Sequence, residues 1–172
     1  MPSVAVLGAS GYGGVELLRL LSAHPDLDVV YGSADSAAGQ LAADVHPSLA
    51  PAYGRLRFAS YDAADVAGVD LVLCALPSGA SAPVVADLLP KVGHVVDLGA
   101  DFRLRDPLLY PRWYGWEHPC PELLDQATFG LPEIHRRELR GARMVAAAGC
   151  YVTAAALALQ PFVAAGAVEP AG

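Results

Sequence analysis

Cys150 stands directly after Gly149, where the short apolar run of "RMVAAAGCYVTAAALALQPF" (Arg143 to Phe162) gives way to an alanine-rich stretch of helical character. The thiolate is the nucleophilic form of cysteine, and a helix N-terminus favours it. Gly149 permits a tight approach to that end, and Thr153 is placed to bond backbone groups of the first turn. The structural alternative is a buried filler, since free cysteine is a common core residue. That is the reading for Cys74 in "LVLCALP", while Cys120, between two prolines, has no helix end to activate it. The three cysteines are odd in number and widely spaced, so they form neither a disulfide framework nor a zinc pattern, and no metal site is expected.

A second group is glycine-rich. In "VAVLGASGYGGVELL", Gly8, Gly11 and Gly14 recur at three-residue spacing, with Gly13 beside them. Glycines here let the backbone turn sharply and approach a pyrophosphate, which the free N–H groups and positive end of the following helix attract. An ordinary tight strand-to-helix turn is the structural alternative. The place of the motif, at the first β–α junction, favours a dinucleotide. Farther on, "GSADSAAG" (Gly32 to Gly39) offers Ser33 and Ser36 to the 2′-phosphate of NADP, whereas Asp35 would suit the ribose hydroxyls of NAD. These residues leave the two cofactors open.

The elements that must hold these residues alternate along the chain. "SVAVLG" (Ser3 to Gly8), "LDVVYGS" (Leu27 to Ser33), "VDLVLCALP" (Val69 to Pro77) and "GHVVDLG" (Gly93 to Gly99) read as buried strands. "GGVELLRLLSAH" (Gly13 to His24) reads as a helix with Val15, Leu17, Leu18, Leu20 and Leu21 on one apolar face, and "ASAPVVADLLPKV" (Ala80 to Val92) as another. This order predicts a Rossmann-like, doubly wound α/β domain with a mostly parallel sheet. From Asp106 to Pro132 the pattern weakens into a proline- and aromatic-rich excursion, after which "ATFGLPEIHRRELRG" and "ARMVAAAG" restore it.

At 172 residues the chain holds one well-buried domain. A formal net charge of −7 without a basic run argues against nucleic acid or an anionic membrane as partner. No apolar run reaches the roughly 18–20 residues that span a bilayer. The start has no basic segment of a secretory leader, and a reducing cytoplasm fits best.

Taken together, "GASGYGGVELLRLLSAHP", "HPSL", "DLGADFRL", "YGWEHPCPELL" and "GLPEIHRRELRGARMVAAAGCYVTAAAL" resemble the N-acetyl-γ-glutamyl-phosphate reductases of arginine biosynthesis, in the same order and over essentially the whole chain. The N-acetyl-α-aminoadipyl-phosphate reductases of lysine biosynthesis share nearly all of these features. Both are semialdehyde dehydrogenases that reduce acyl phosphates. The resemblance implies that Cys150 attacks the acyl phosphate to give a thioester, which NADPH reduces. It implies that Gly8, Ser10, Gly11, Tyr12 and Gly13 form the pyrophosphate loop, and that Pro77, Ser78 and Gly79 lie near the nicotinamide. It assigns Arg103 to the substrate phosphate, a contact suited to a guanidinium. An ion pair with Asp101 or Asp106 is the structural alternative for Arg103.

The chain departs from the family at Ser78, where histidine is more usual, and at Ala148 and Val152, where prolines usually flank the nucleophile. The lysine-pathway relatives also lack those prolines. Family members are longer, with a second domain that forms a dimer interface and supplies a catalytic histidine. The resemblance therefore implies residues 1–148 as the nucleotide-binding domain and 149–172 as the start of a catalytic one. A homo-oligomer is expected of the longer protein, and a monomer of this chain. None of the five histidines reads as the missing acid/base. A nucleotide-binding module without turnover is the alternative from another class.

Overall fold

The computed structural model describes residues 1–169; the end of the expected catalytic start, residues 170–172, lies outside the described residues. Six strands form one sheet: β1 (Ser3–Leu7), β2 (Asp28–Gly32), β3 (Leu71–Cys74), β4 (His94–Asp97), β5 (Thr128–Gly130) and β6 (Met144–Ala147). Their order is β2-β1-β3-β4-β6-β5, and every neighbouring pair is parallel. The helices are α1 (Tyr12–Leu21), α2 (Ala42–Val45), α3 (Ala50–Tyr53), α4 (Ser81–Leu88), α5 (Tyr110–Trp113), α6 (Pro132–Leu139) and α7 (Cys150–Ala164).

The apolar strands are buried on both faces because helices cover both. On one face Ala5, Leu7, Val72, Cys74 and Val95 pack with Val85, Leu88, Phe102, Tyr110 and Leu124. On the other, Val4, Val6 and Leu73 pack with Leu18, Leu21, Leu49 and Phe58. Successive residues of β1 thus serve opposite layers, as the two-residue period of a strand requires. The expected doubly wound Rossmann-like architecture is present.

Two local readings need correction. β2 is an edge strand with alternating exposure, and Val30 is 51% exposed. Leu20, expected on the apolar face of α1, is 55% exposed; Leu18 and Leu21 carry that face with Gly14. A helix of this length presents about a third of its surface to the sheet, and Leu20 falls on the far side.

The excursion between β4 and β5 is ordered by side-chain bonds more than by periodicity. Tyr110 is fully buried, and its hydroxyl donates to Asp101 O at 2.6 Å. Its ring packs against those of Tyr114, Trp116 and His118. From β1 the chain runs outward to β2 and then back across to β3, so the loops after β1 and β3 part. That reversal opens a crevice at the C-terminal edge of the sheet, the place where doubly wound sheets bind ligands.

Candidate functional site

The crevice is a cleft of about 430 Å³, lined by Gly8, Ser10 and Gly11 after β1, by Ser33 to Ser36 after β2, and by Tyr61, Ala75, Leu76 and Pro77. Two glycines make the first loop possible. Gly8 has φ +73, and a Cβ there would stand 2.5 Å from Ala75 O. At Gly14 a Cβ would meet Gly8 O at 2.2 Å, so α1 approaches the loop as closely as backbone allows. Gly11 is the N-cap of α1 and brings no side-chain acceptor, which leaves the first N–H groups of the helix for a ligand. His46 braces the loop from outside, with Nε2 at 2.8 Å from Ser10 O.

The second loop presents its groups unequally. Ser33 is 3% exposed, and its hydroxyl accepts from Gly8 N–H at 3.4 Å, while its amide donates to Val6 O at 2.9 Å. Asp35 and Ser36 are exposed on the cleft wall. Tyr61, which sequence reasoning missed, supplies the aromatic part of that wall. Its hydroxyl is the buried side-chain polar atom without a partner among the described residues, and burial pushes its pKa up to about 12. No local motif marks it; only the fold brings it beside β3.

Of the remaining residues expected at the nucleotide, Tyr12 stands 97% exposed at the start of α1, and a Cβ on Gly13 would lie 3.5 Å from Ala75 Cβ. Ser78 and Gly79 lie exposed in the turn that follows Pro77. These four do not line the cleft, although all sit at the same edge of the sheet.

The second group gathers at the ends of β4 and β6. Arg103 donates from Nε to Ala147 O and from Nη2 to Leu98 O, both at 2.8 Å. It takes part in none of the three ion pairs found among the described residues, so the expected alternative with Asp101 or Asp106 does not form. A Cβ on Gly149 would lie 3.0 Å from Arg103 Nη1, which sets the guanidinium directly beside the loop that leads to Cys150. Cys150 is the first residue of α7 and is exposed, with Gly149 as N-cap. Thr153 closes the first turn through its amide, which donates to Gly149 O at 2.9 Å; no side chain caps this helix.

Cys74 is fully buried, and desolvation drives its thiol pKa upward, with Asp97 and Asp101 adding to the rise. Cys120 is half-buried and also shifted upward, mainly by burial. At the end of β4, Asp97 is buried between Ser81 Oγ at 3.0 Å and Gly99 N–H at 3.0 Å; burial raises its pKa to about 6.

The chain as a whole is similar to known proteins. Residues 3–142 match the model of the semialdehyde dehydrogenase NAD-binding domain. The chain is 48% identical over 167 residues to a Thermomicrobium roseum protein named as a LysW-L-2-aminoadipate 6-phosphate reductase, covering 97% of this chain and 47% of that protein. It is 48% identical over 170 residues to the N-acetyl-gamma-glutamyl-phosphate reductase of Afipia carboxidovorans, covering 96% of this chain and 48% of that protein. The chain thus spans about half the length of the curated relatives it matches. Among solved structures, the aspartate semialdehyde dehydrogenase of Candida albicans with NADP shares the fold at TM-score 0.68 and 15% identity, over 96% of this chain and 47% of that one. The cleft at the switch of strand order, the glycine loop at its base and the match across both sequence and fold lead to one conclusion: the chain belongs to the semialdehyde dehydrogenase family and carries its NAD(P)-binding domain.

Proposed function

We propose that the chain is the nucleotide-binding part of an NADP-dependent reductase that converts N-acetyl-γ-glutamyl phosphate to the semialdehyde in arginine biosynthesis. The carrying observation is that Cys150, exposed at the start of α7, shares one sheet edge with the nucleotide cleft and has Arg103 beside its loop. In this reading residues 1–148 bind the nucleotide and residues from 149 begin the catalytic part. The complete protein is a cytoplasmic homo-oligomer. This chain alone is a monomer whose α7 has no buried residue.

The residues divide the work by position. The free N–H groups of α1 and the loop at Gly8, Ser10, Gly11, Tyr12 and Gly13 receive the pyrophosphate, and the absence of side chains at Gly8 and Gly14 fits that close approach. Ser36 on the cleft wall and Ser33 beneath it support the 2′-phosphate of NADP, while Asp35 keeps NAD within reach. Pro77, Ser78 and Gly79 flank the nicotinamide side.

Arg103 holds the substrate phosphate with the guanidinium edge that the backbone carbonyls leave free. The Cys150 thiolate attacks the acyl carbon, the C–O bond to phosphate breaks with its electron pair going to the phosphate oxygen, and the phosphate takes a proton from water and leaves as the dianion. The product is a thioester on Sγ. When bound, NADPH supplies the hydride that reduces this thioester carbonyl. Collapse of the resulting thiohemiacetal returns the electron pair to Sγ and frees the aldehyde. Dividing the reduction into two steps in this way is ordinary covalent catalysis.

The lysine-branch substrate, the corresponding aminoadipyl phosphate, is the second reading. It is favoured by the Thermomicrobium roseum relative and by Ala148 and Val152 around the nucleophile. Each acyl phosphate, offered without cofactor, tests the proposal. One equivalent of phosphate should be released per chain, with a matching mass gain on Cys150, and faster from the glutamyl compound. Release that persists in Cys150→Ser, or none from either compound, would overturn the reductase reading in favour of a nucleotide-binding module.

A further inference from the structure

Asp101 is fully buried and spends its carboxylate on backbone. Oδ2 accepts from Gly79 N–H at 2.8 Å, and Oδ1 accepts from Ala82 N–H at 3.0 Å. These donors belong to the turn after β3 and the start of α4, whose N-cap, Ala80, has no side-chain acceptor. A serine or aspartate at position 80 would satisfy such donors locally. Here the acceptor comes from another loop.

The main chain of Asp101 is itself held. Its carbonyl accepts from Tyr110 Oη and from His118 Nε2, each at 2.6 Å. Cys120 N–H donates to His118 Nδ1 at 3.1 Å, which leaves Nε2 as the donor nitrogen. Gly79, at φ +89, lies against Trp116, whose ring a Cβ would meet at 3.6 Å. Trp116 stacks on Tyr114, a member of the same aromatic group. The proline- and aromatic-rich excursion thus fixes Asp101, and Asp101 fixes the turn. Two residues on, Arg103 reaches Ala147 O, next to the nucleophile loop. A single segment, residues 98–103, therefore touches both the turn and the strand end that leads to Cys150.

The geometry points to Asp101 as a positioning residue that holds the Pro77–Gly79 turn against the nicotinamide half of the cofactor, in register with the Cys150 loop. This rests on the reading of that turn given above. A local cap would hold α4 equally well but would not tie the turn to the loop after β4. Asp101 is not among the residues that line the cleft between Ser33 to Ser36 and Tyr61, where the adenosine half would lie.

The test compares two ligands on the 172-residue chain: NADPH, and its adenosine half, adenosine 2′,5′-bisphosphate. Asp101→Asn keeps the shape but turns one acceptor into a donor facing an N–H. NADPH affinity should fall about tenfold, with loss of the nicotinamide fluorescence change on binding, while the half-ligand stays within about twofold. Gly79→Ala, at an exposed position, should reproduce the selective loss by straining φ without disturbing the buried carboxylate. Equal loss of both ligands in Asp101→Asn with neither affected in Gly79→Ala would overturn the inference. A wild-type chain that gains nothing from the nicotinamide would overturn it too, leaving the adenosine site intact. A chain that binds neither ligand would overturn the nucleotide reading and this inference with it.

Discussion

The loops after β1 and β6 are built alike, and they end differently. Each strand leads within a few residues to a helix whose N-cap is a glycine, Gly11 after β1 and Gly149 after β6, and neither helix has a side-chain cap. After β1 the helix buries Leu18 and Leu21 against the sheet, its Gly14 is wedged on Gly8, and His46 braces the turn. After β6 the helix buries no residue, and the loop is held by Arg103. The same device, once locked into the core, offers fixed backbone N–H groups for binding. Left open, it exposes a side chain, that of Cys150.

The sharpest contrast is in core packing. Leu18→Ala should cost about 4 kcal/mol in urea denaturation, because a fully buried leucine leaves a cavity. Leu159→Ala on α7, where the leucine is 55% exposed, should stay within about 0.5 kcal/mol. Similar losses at both sites would mean that α7 is packed after all.

The two glycine loops should separate next. Gly14→Ala forces a Cβ into backbone at 2.2 Å and should cost about 3 kcal/mol. At Gly149 the obstacle is the far end of a flexible arginine at 3.0 Å, so Gly149→Ala should cost under about 1 kcal/mol. Chemical denaturation of both variants decides the point, and a larger loss at Gly149 would reverse the comparison.

Between the two loops lies Asp97. Its pKa is about 6 in the folded chain against 3.8 for the free group, so the native state binds more protons in that interval. Its contribution to stability is therefore greatest at low pH and is lost as pH rises from about 4 through 6, by an amount on the order of 2–3 kcal/mol. Asp97→Asn should gain on the wild type when melting temperatures are compared at pH 4.5 and pH 7.5. A constant difference between the two would show that Asp97 ionises normally.

The smallest effect concerns the cofactor. Asp35 is exposed on the cleft wall, where it would face a 2′-phosphate. Asp35→Ser should shift preference toward NADP(H) by about tenfold, a value typical of one charge-assisted contact. Calorimetric titration with both dinucleotides reads it; an unchanged ratio would place Asp35 away from the ribose.

Much of this arrangement is legible in the residues themselves. β1, β3 and β4 announce themselves because apolar runs stopped by glycine or proline have few other uses, and the glycine loop follows from spacing at a strand end. β2 is legible as a strand but not as an edge, since "DVVYG" is apolar enough for a central strand and only the sheet order puts it at an edge. The Cys150 helix end reads correctly, but not its cap, where the amide of Thr153 takes the place of the hydroxyl. Sequence spacing also misses what depends on distant partners. Ser33 turns inward to Gly8, His46 braces Ser10, and Asp101 holds Gly79 from 22 positions away. No periodicity records such pairs, because their register is set by the sheet.

The comparison stands or falls on Cys150. Iodoacetamide at neutral pH, followed over time by mass spectrometry of the folded chain, compares an exposed thiol at a helix start with a thiol sealed in β3. Cys150 should be alkylated first, Cys120 more slowly, and Cys74 only on unfolding, since the reaction needs an accessible thiolate. If Cys74 or Cys120 is labelled first while Cys150 stays inert, Cys150 is a core residue and the nucleophile assignment is wrong.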